Sequence, residues 1–298
     1  MPVLEIRGLA KSYDDHQVLY DLDLELEAGT ITGLVGPNGV GKTTCLRCIV
    51  GLVFPTSGTI HIDGVDARSD GVRARRSLSF LPGEASVYRW MTGREFLRFG
   101  LGFHDTIDDD FVGRCLEAFE LPMHRKLRGY SSGQKQMLAL TVALGPRVPL
   151  YILDEPEKAL DASKRHRLRE LLDDVQGRGA SILISSHHIS ELELFTSRYA
   201  FLNAGRVVGN DEIDHILRAL SRRVRVRFEE GVEPHDVPSG VHIEHDGRDW
   251  ILHASDEVAS HTLATQLLKQ RPLRLEVGTP SLSDVYDHLY VHTMERAS

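Results

Sequence analysis

The stretch GPNGVGKT, residues 36–43, decides how the rest of the chain is read. It matches G-x-x-x-x-G-K-[ST] in full, and its context fits: the apolar run TITGLVG (30–36) leads in as a strand, and a helical pattern from Lys42 to about residue 50 leads out. Each residue type has a physical reason. Glycine lets the backbone curl until successive N–H groups face one anion, and the start of a helix adds partial positive charge there. Lys42 supplies a point charge for the β and γ phosphates, and the Thr43 hydroxyl is a ligand for Mg2+. By itself such a cradle leaves kinases, GTPases and ATPases open.

Working outward, PLYILDEP (149–156) ends an apolar strand on Asp154 and Glu155. Buried strand ends rarely carry two carboxylates without partners for the charge. Asp154 suits the metal-side carboxylate of phosphoryl transfer, and Glu155 suits a base that polarises the attacking water. In SILISSHH (181–188) another strand delivers His187. Strand ends of a parallel sheet share one edge, so His187 is expected near Asp154 and Lys42, where it can donate to a γ-phosphate oxygen. His188 is expected at the surface. The plainer readings are a solvated Asp-Glu junction and a structural histidine. Four apolar residues ahead of the carboxylates, and the shared edge, weigh against them.

The remaining pattern is α/β. Residues 3–7, 17–26, 58–64 and 77–82 read as strands, with YDLDLELE alternating strictly. Residues 92–145 hold helical patterns and no clear strand. Alternation then resumes with strand 149–153, helix 163–176, strand 181–185 and helix 188–195. In the first of these helices Leu168, Leu171, Leu172 and Val175 form one core face. RYAFLNAGRVVGN (198–210) reads as a hairpin turning at 203–205. The expected fold is thus a P-loop NTPase core, mainly parallel sheet plus antiparallel strands, over residues 1–220. A helical subdomain is inserted at about 84–145, and residues 221–298 form a small α+β appendage. There RRVRVRF sets Val224, Val226 and Phe228 against Arg223, Arg225 and Arg227, a strand with one solvated basic face rather than a nucleic-acid patch.

Composition agrees. Apolar residues are 41% of 298, charged residues 26%, and the formal net charge is −8, which disfavours broad nucleic-acid binding. No window reaches the roughly 20 apolar residues that span a bilayer. The opening residues alternate like a strand, so no secretory signal is expected. Cys45, Cys48 and Cys115 form no disulfide framework and suit a reducing cytoplasm. The C-x-x-C spacing of Cys45 and Cys48 has no second pair to complete a zinc site, so packing thiols are expected.

YSSGQKQMLAL (130–140) poses a separate question: a polar start running into an apolar helix is either an ordinary cap or a grip on a charged ligand. With it, the chain resembles the nucleotide-binding subunits of ATP-binding-cassette transporters, with motifs in family order across residues 1 to about 210. Tyr13 matches the aromatic that stacks on adenine. Residues 36–44, including Gly36, Asn38, Gly39, Val40, Gly41, Lys42, Thr43 and Thr44, match the first phosphate motif. Asp154 and Glu155 match the second, ALD (159–161) the loop after it, and His187 the switch histidine. YSSGQ matches the signature, usually LSGGQ, with Tyr130 and Ser132 as departures.

The resemblance implies that Ser131, Gly133 and Gln134 face the γ-phosphate bound by a second subunit, expected to be a homodimer mate, with two ATP molecules and Mg2+ between them. It further implies a transmembrane permease as partner, with this subunit peripheral on the cytoplasmic face. PSLSDVYDHL and SSHHISELE resemble segments of the ABC-2 type exporter branch. A docking groove is expected in 84–103, through Val87, Tyr88, Trp90, Phe96 and Phe99, although core packing explains Phe96 equally well. Two departures stand out. LPGEASVY places Gly83 where the family carries glutamine or glutamate, so Glu84 is expected to substitute. EPEKALD replaces EPTSGLD, putting Glu157, Lys158 and Ala159 where small residues are usual. A weakly hydrolysing binding module, a non-transport ATPase of the superfamily and a small-molecule kinase are the rival readings.

Overall fold

The computed structural model describes residues 2–295 apart from Ala85, His188, Ser197, Thr279 and Ser281. The expectation for His188 therefore lies outside the described residues. The chain divides into two compact units, Met1–Val207 and Val208–Ser298.

In the first unit the elements run β1 (Pro2–Tyr13), β2 (His16–Glu27), β3 (Ile31–Val35), α1 (Lys42–Ile49), β4 (Ser57–Ile62), β5 (Val65–Asp66), α2 (Gly71–Arg76) and β6 (Leu78–Leu81). Helices α3 (Gly93–Leu101), α4 (Asp109–Phe119) and α5 (Ser132–Leu144) follow. The unit closes with β7 (Leu150–Asp154), α6 (Ala162–Gly177), β8 (Ser181–Ser186), α7 (Ile189–Leu192), β9 (Tyr199–Asn203) and β10 (Arg206–Val207). One sheet has the order β10-β9-β3-β8-β7-β6 and is parallel except for β10; the other, β2-β1-β4-β5, is antiparallel.

The two sheets obey different burial rules. Every residue of β3, β7 and β8 is buried, as expected where both faces of a parallel sheet are covered. β2 instead buries Leu22, Leu24 and Leu26 and exposes the acidic residues between them. Both sheets share one core with α1, where Leu4, Ile6, Leu46, Ile49, Ile152 and Leu183 meet. Each such side chain contributes about 1.5–3 kcal/mol on burial, which anchors the helix that opens at Lys42. Cys45, Cys48 and Cys115 are free and buried, and burial pushes the Cys48 thiol up to about 11, so they are packing groups. The inserted helices keep a small core of their own around Phe96, Leu127, Tyr130 and Leu138.

The second unit holds α8 (Asn210–Ser221), β11 (Arg223–Arg227), β12 (His242–Asp246), β13 (Asp249–His253), α9 (Glu257–Leu268), β14 (Arg274–Val277) and α10 (Leu282–Glu295). Its sheet, β12-β13-β11-β14, is antiparallel throughout. Val224, Val226 and Leu252 pack on Leu263, Ala264 and Leu267 of α9. Two arginines of the other face carry acidic partners: Arg227 binds Asp249 through two bonds of 2.5 and 3.0 Å, and Arg274 binds Glu276. The division falls before α8, whereas the sequence pattern suggests a boundary after it, at residue 220.

Candidate functional site

Register brings the functional residues together. Val35 of β3 pairs with Ser186 of β8, Asp154 of β7 pairs with Ser185, and Leu153 of β7 pairs with Leu81 of β6. The residues that follow these strand ends, Gly36, His187, Glu155 and Gly83, therefore leave the sheet along one edge.

The phosphate loop is built for close approach. A Cβ on Gly36 would lie 2.7 Å from the Leu202 carbonyl and 2.8 Å from Val40 Cγ1. Gly41, with φ 112°, caps α1 without a side chain and leaves 2.8 Å to Leu19 Cδ2. Beside Gly39, with φ 83°, a Cβ would meet nothing within 4 Å, so the loop is open on that side. The first amides of α1 have no intrahelical acceptor and no acidic residue lies in its first turn, which fits a phosphate. Lys42 is buried, and its Nζ donates to the carbonyls of Gly36 (2.6 Å) and Pro37 (3.0 Å). Burial lowers its pKa, opposed by the charges of Glu155, Asp154 and Glu157.

Asp154 is buried and accepts from Ser185 Oγ at 2.5 Å and Thr43 Oγ1 at 3.1 Å. The Thr43 hydroxyl and the Asp154 carboxylate thus converge as hard oxygen donors, a set that suits Mg2+ completed by phosphate and water. Glu155 takes a left-handed backbone, φ 48°, a cost of order 1–3 kcal/mol borne at a functional position. Its N–H donates to the Ser185 carbonyl (3.1 Å). Its carboxylate binds His187 Nδ1 at 2.9 Å and Lys158 Nζ at 3.7 Å. Glu155, His187, Lys158, Glu157, Glu191 and Asn38 line one cavity of about 470 Å³.

The polar start of α5 is a true cap. Ser131 Oγ accepts from the Gln134 N–H (3.1 Å), and Gln134 Oε1 accepts from the Ser131 N–H (3.0 Å). Tyr130 is buried in the helical core, and its hydroxyl donates to the Pro122 carbonyl at 2.7 Å. Gly133 packs on the Ala159 carbonyl, which a Cβ would approach to 2.8 Å, so the cap rests on the loop after Glu155. Tyr13 is exposed at the β1–β2 turn, with Lys11 Nζ 4.7 Å above its ring. Val40 and Thr44 sit within or just after the cradle, Thr44 in the first turn of α1.

Sequence reading overlooked Ser185, which holds both Asp154 and the Glu155 backbone; its signal is the serine pair closing the apolar run of β8. It also left Glu157 and Lys158 as bare departures. Position 83 faces the Asp154 carboxylate, since a Cβ there would lie 3.2 Å from Asp154 Oδ2. Glycine offers no side chain to that corner, while Glu84 is exposed beside it. Glu84→Ala is expected to lower ATP turnover by about threefold, the size of one ordinary hydrogen bond lost; an unchanged rate would show that Glu84 does not stand in for the usual glutamine.

A phosphate cradle with carboxylates on the same sheet edge is an arrangement that suits phosphoryl transfer from a nucleoside triphosphate. Residues 19–158 match the family described as ABC transporter, and residues 124–193 also match one described as AAA domain, putative AbiEii toxin, Type IV TA system. The chain is 33% identical over 215 residues to the ABC transporter ATP-binding protein YtrB of Bacillus subtilis, covering 72% of this chain and 73% of that one. It is 31% identical over 295 residues to the Nod factor export ATP-binding protein I of Rhizobium meliloti, covering 95% and 86%. A solved structure described as the ATP binding subunit of an ABC transporter superposes with TM-score 0.66 at 30% identity, covering 72% of this chain and 91% of that one. The chain belongs to the ABC transporter family, as an ATP-binding and ATP-hydrolysing subunit that powers transport.

Proposed function

We propose that two copies close head to tail over two ATP molecules, and that closure drives a transmembrane permease of the ABC-2 exporter type. The start of α5 carries this reading. Its capping box occupies the Ser131 and Gln134 amides, while helix geometry leaves the Ser132 and Gly133 amides without an intrahelical acceptor. Ser131 and Ser132 are exposed. That surface offers positive dipole to an anion.

Within one copy, the loop amides, Lys42 and Thr43 hold the triphosphate and Tyr13 stacks on the adenine. Mg2+ bound by Thr43 and Asp154 would neutralise phosphate charge. Glu155 orients the attacking water. His187 steadies the γ-phosphate through Nε2 while Nδ1 stays on Glu155. The mate contributes Ser131, Gly133 and Gln134. Export as the direction is supported by the Nod factor export relative, matched along 95% of this chain, and by a Lipopolysaccharide export system ATP-binding protein LptB of Haemophilus influenzae at 30% identity.

A membrane partner is supported by the surface. Among the described residues no helix is long and apolar enough to cross a membrane, yet Trp90, Tyr88, Phe99 and Phe103 form an exposed aromatic row with centroids 5.1, 5.4 and 5.1 Å apart. Phe103 and the exposed Leu52 also line a cavity of about 910 Å³. Such a patch suits a protein partner; Phe96, by contrast, is core. Full-length protein purified from its own membranes is expected to retain an integral membrane protein, and Trp90→Ala to cut that yield about tenfold, in line with loss of an aromatic anchor. Unchanged retention by Trp90→Ala would remove the aromatic row from the docking surface.

A further inference from the structure

Glu157 is 5% exposed and has no cation in hydrogen-bond contact. Its carboxyl accepts from the Ser186 hydroxyl and faces the carboxyl of Glu191, and its Oε2 has no hydrogen-bond donor. Glu191 is already held by Arg165 at 2.6 Å. Two carboxyls that face each other, one of them buried, cannot both ionise cheaply; one proton shared between them supplies the missing donor. Burial first, then the charge of Glu191, pushes the Glu157 carboxyl up to about 7.

The place of this pair gives it a consequence. Glu157 lies two residues beyond Glu155. Ser186 directly precedes His187, and Glu191 lies in the short helix α7 that follows it. The pair therefore joins the two segments whose side chains meet in the Glu155–His187 contact of 2.9 Å, and all four residues line the same cavity.

We propose that Glu157 is a positioning residue for hydrolysis: by sharing a proton with Glu191 it fastens the segment bearing Glu155 to the segment bearing His187, and loss of that proton loosens the catalytic pair. This rests on Glu155 as the base and His187 as its partner. The groups that face Glu157 are Ser186 from β8, Glu191 from α7 with Arg165 of α6 behind it, and Lys42 of α1 at longer range. Glu155, Lys158 and His187 share its cavity. Arg165 is engaged by Glu191 and Lys42 by the loop carbonyls, so an ionised Glu157 meets the Glu191 charge without a close countercharge. The proton is in place below the folded pKa and is lost as pH rises through about 7.

The test is the pH profile of ATP turnover by the full chain from pH 6 to 9. Wild type is expected to fall by about fivefold above neutrality beyond any change shared by the variants, a loosening well short of the roughly 10²-fold that a full 1 Å misplacement can cost. Glu157→Gln keeps an amide donor for Glu191 and an acceptor for Ser186 at every pH, so it should match wild type at pH 6.5 within about twofold and lack that descending limb. Glu157→Thr cannot span to Glu191 and should be slow throughout. A Glu157→Gln profile that overlays wild type would overturn the proposal, as would a fully active Glu157→Thr. Should Glu157→Gln fail to fold by circular dichroism, Glu191→Gln reads the same point, because its amide can donate to ionised Glu157 and should also remove the limb. The base assignment is checked separately: turnover surviving in Glu155→Gln sinks that assignment, whereas an inactive Glu155→Gln beside an unaltered Glu157→Gln profile sinks only the positioning role.

Discussion

Glu155→Gln is expected to cut ATP turnover by about 10²–10³-fold, with ATP affinity within about twofold of wild type. That loss corresponds to about 3–4 kcal/mol of transition-state stabilisation. The reasoning is geometric. Glutamine keeps the shape, so it keeps an oxygen for the His187 Nδ1 proton and leaves the phosphate loop untouched. It loses the negative charge that pairs with Lys158 at 3.7 Å and that must polarise a water. Nucleotide is then bound but not consumed, and closure is not reversed. Gel filtration in excess MgATP should show the variant at the mass of two copies, while wild type returns to one copy as ATP is spent. Full turnover would remove Glu155 as the base. An inactive variant that stays at one copy would instead break the head-to-tail arrangement and leave the hydrolytic site standing.

Much of this site is legible in the residues because each motif combines a chemical need with a position. The parallel strands are continuous apolar runs, so their ends can be located, and whatever polar residue follows such a run must sit on the shared edge. That reasoning reaches Lys42, Asp154, Glu155 and His187. It extends to the packing thiols and to the core face of α6, which is buried at Leu168, Leu171, Leu172 and Val175.

What escapes the sequence escapes for definite reasons. β1 reaches Tyr13, well past the residues whose alternation marks it, because its pairing with β2 shifts register at several bulges and breaks the period of two. α8 holds Ile216 and Leu220 as a narrow buried face, and the alternating RRVRVRF just after it draws the reading toward strand. Its side chains belong with the second unit, a fact of contact that no local pattern expresses. The Glu157–Glu191 pair is a third case. The two residues are far apart in the chain, and only the neighbouring ends of β7 and β8 bring them face to face. A carboxylate in place of a small residue looks like a surface change until its burial is known.

Gly83 shows the same dependence on context from the other direction. As a letter it is a lost side chain. In the fold its Cα sits where any Cβ would press on Asp154 Oδ2 at 3.2 Å, so the position keeps its place beside the Asp154 carboxylate while giving up its own chemistry. The charged residues Glu157 and Lys158 face Glu191 and Glu155 respectively, in the cavity that also holds His187.

Lys42→Ala carries the other large effect. ATP affinity is expected to fall by about 10²-fold, or about 2.7 kcal/mol, and turnover to become undetectable. Two losses add. The ammonium is the one side-chain cation of the phosphate loop, and a charge-assisted bond to phosphate contributes about 1.5–3 kcal/mol. The same group ties down the Gly36 and Pro37 carbonyls at 2.6 and 3.0 Å, so its removal takes that donor from Gly36, leaves Pro37 only the Val40 N–H at 3.4 Å, and loosens the curl that aims the amides inward. Burial has already stripped water from Lys42 and lowers its pKa, and the nearby charges of Glu155 and Asp154 oppose that shift. A triphosphate strengthens that opposition, so binding should favour the protonated lysine further. Lys42→Arg preserves the charge but not the compact shape, and its larger head cannot reach both carbonyls from the same buried stem; it should recover a minor part of the affinity and little of the rate. Titration calorimetry with ATP on wild type, Lys42→Ala and Lys42→Arg measures both points, with thermal unfolding to confirm that α1 remains seated. Wild-type affinity in Lys42→Ala would mean that the nucleotide does not lie in this loop, and the roles of Thr43, Asp154 and Glu155 would fall with it.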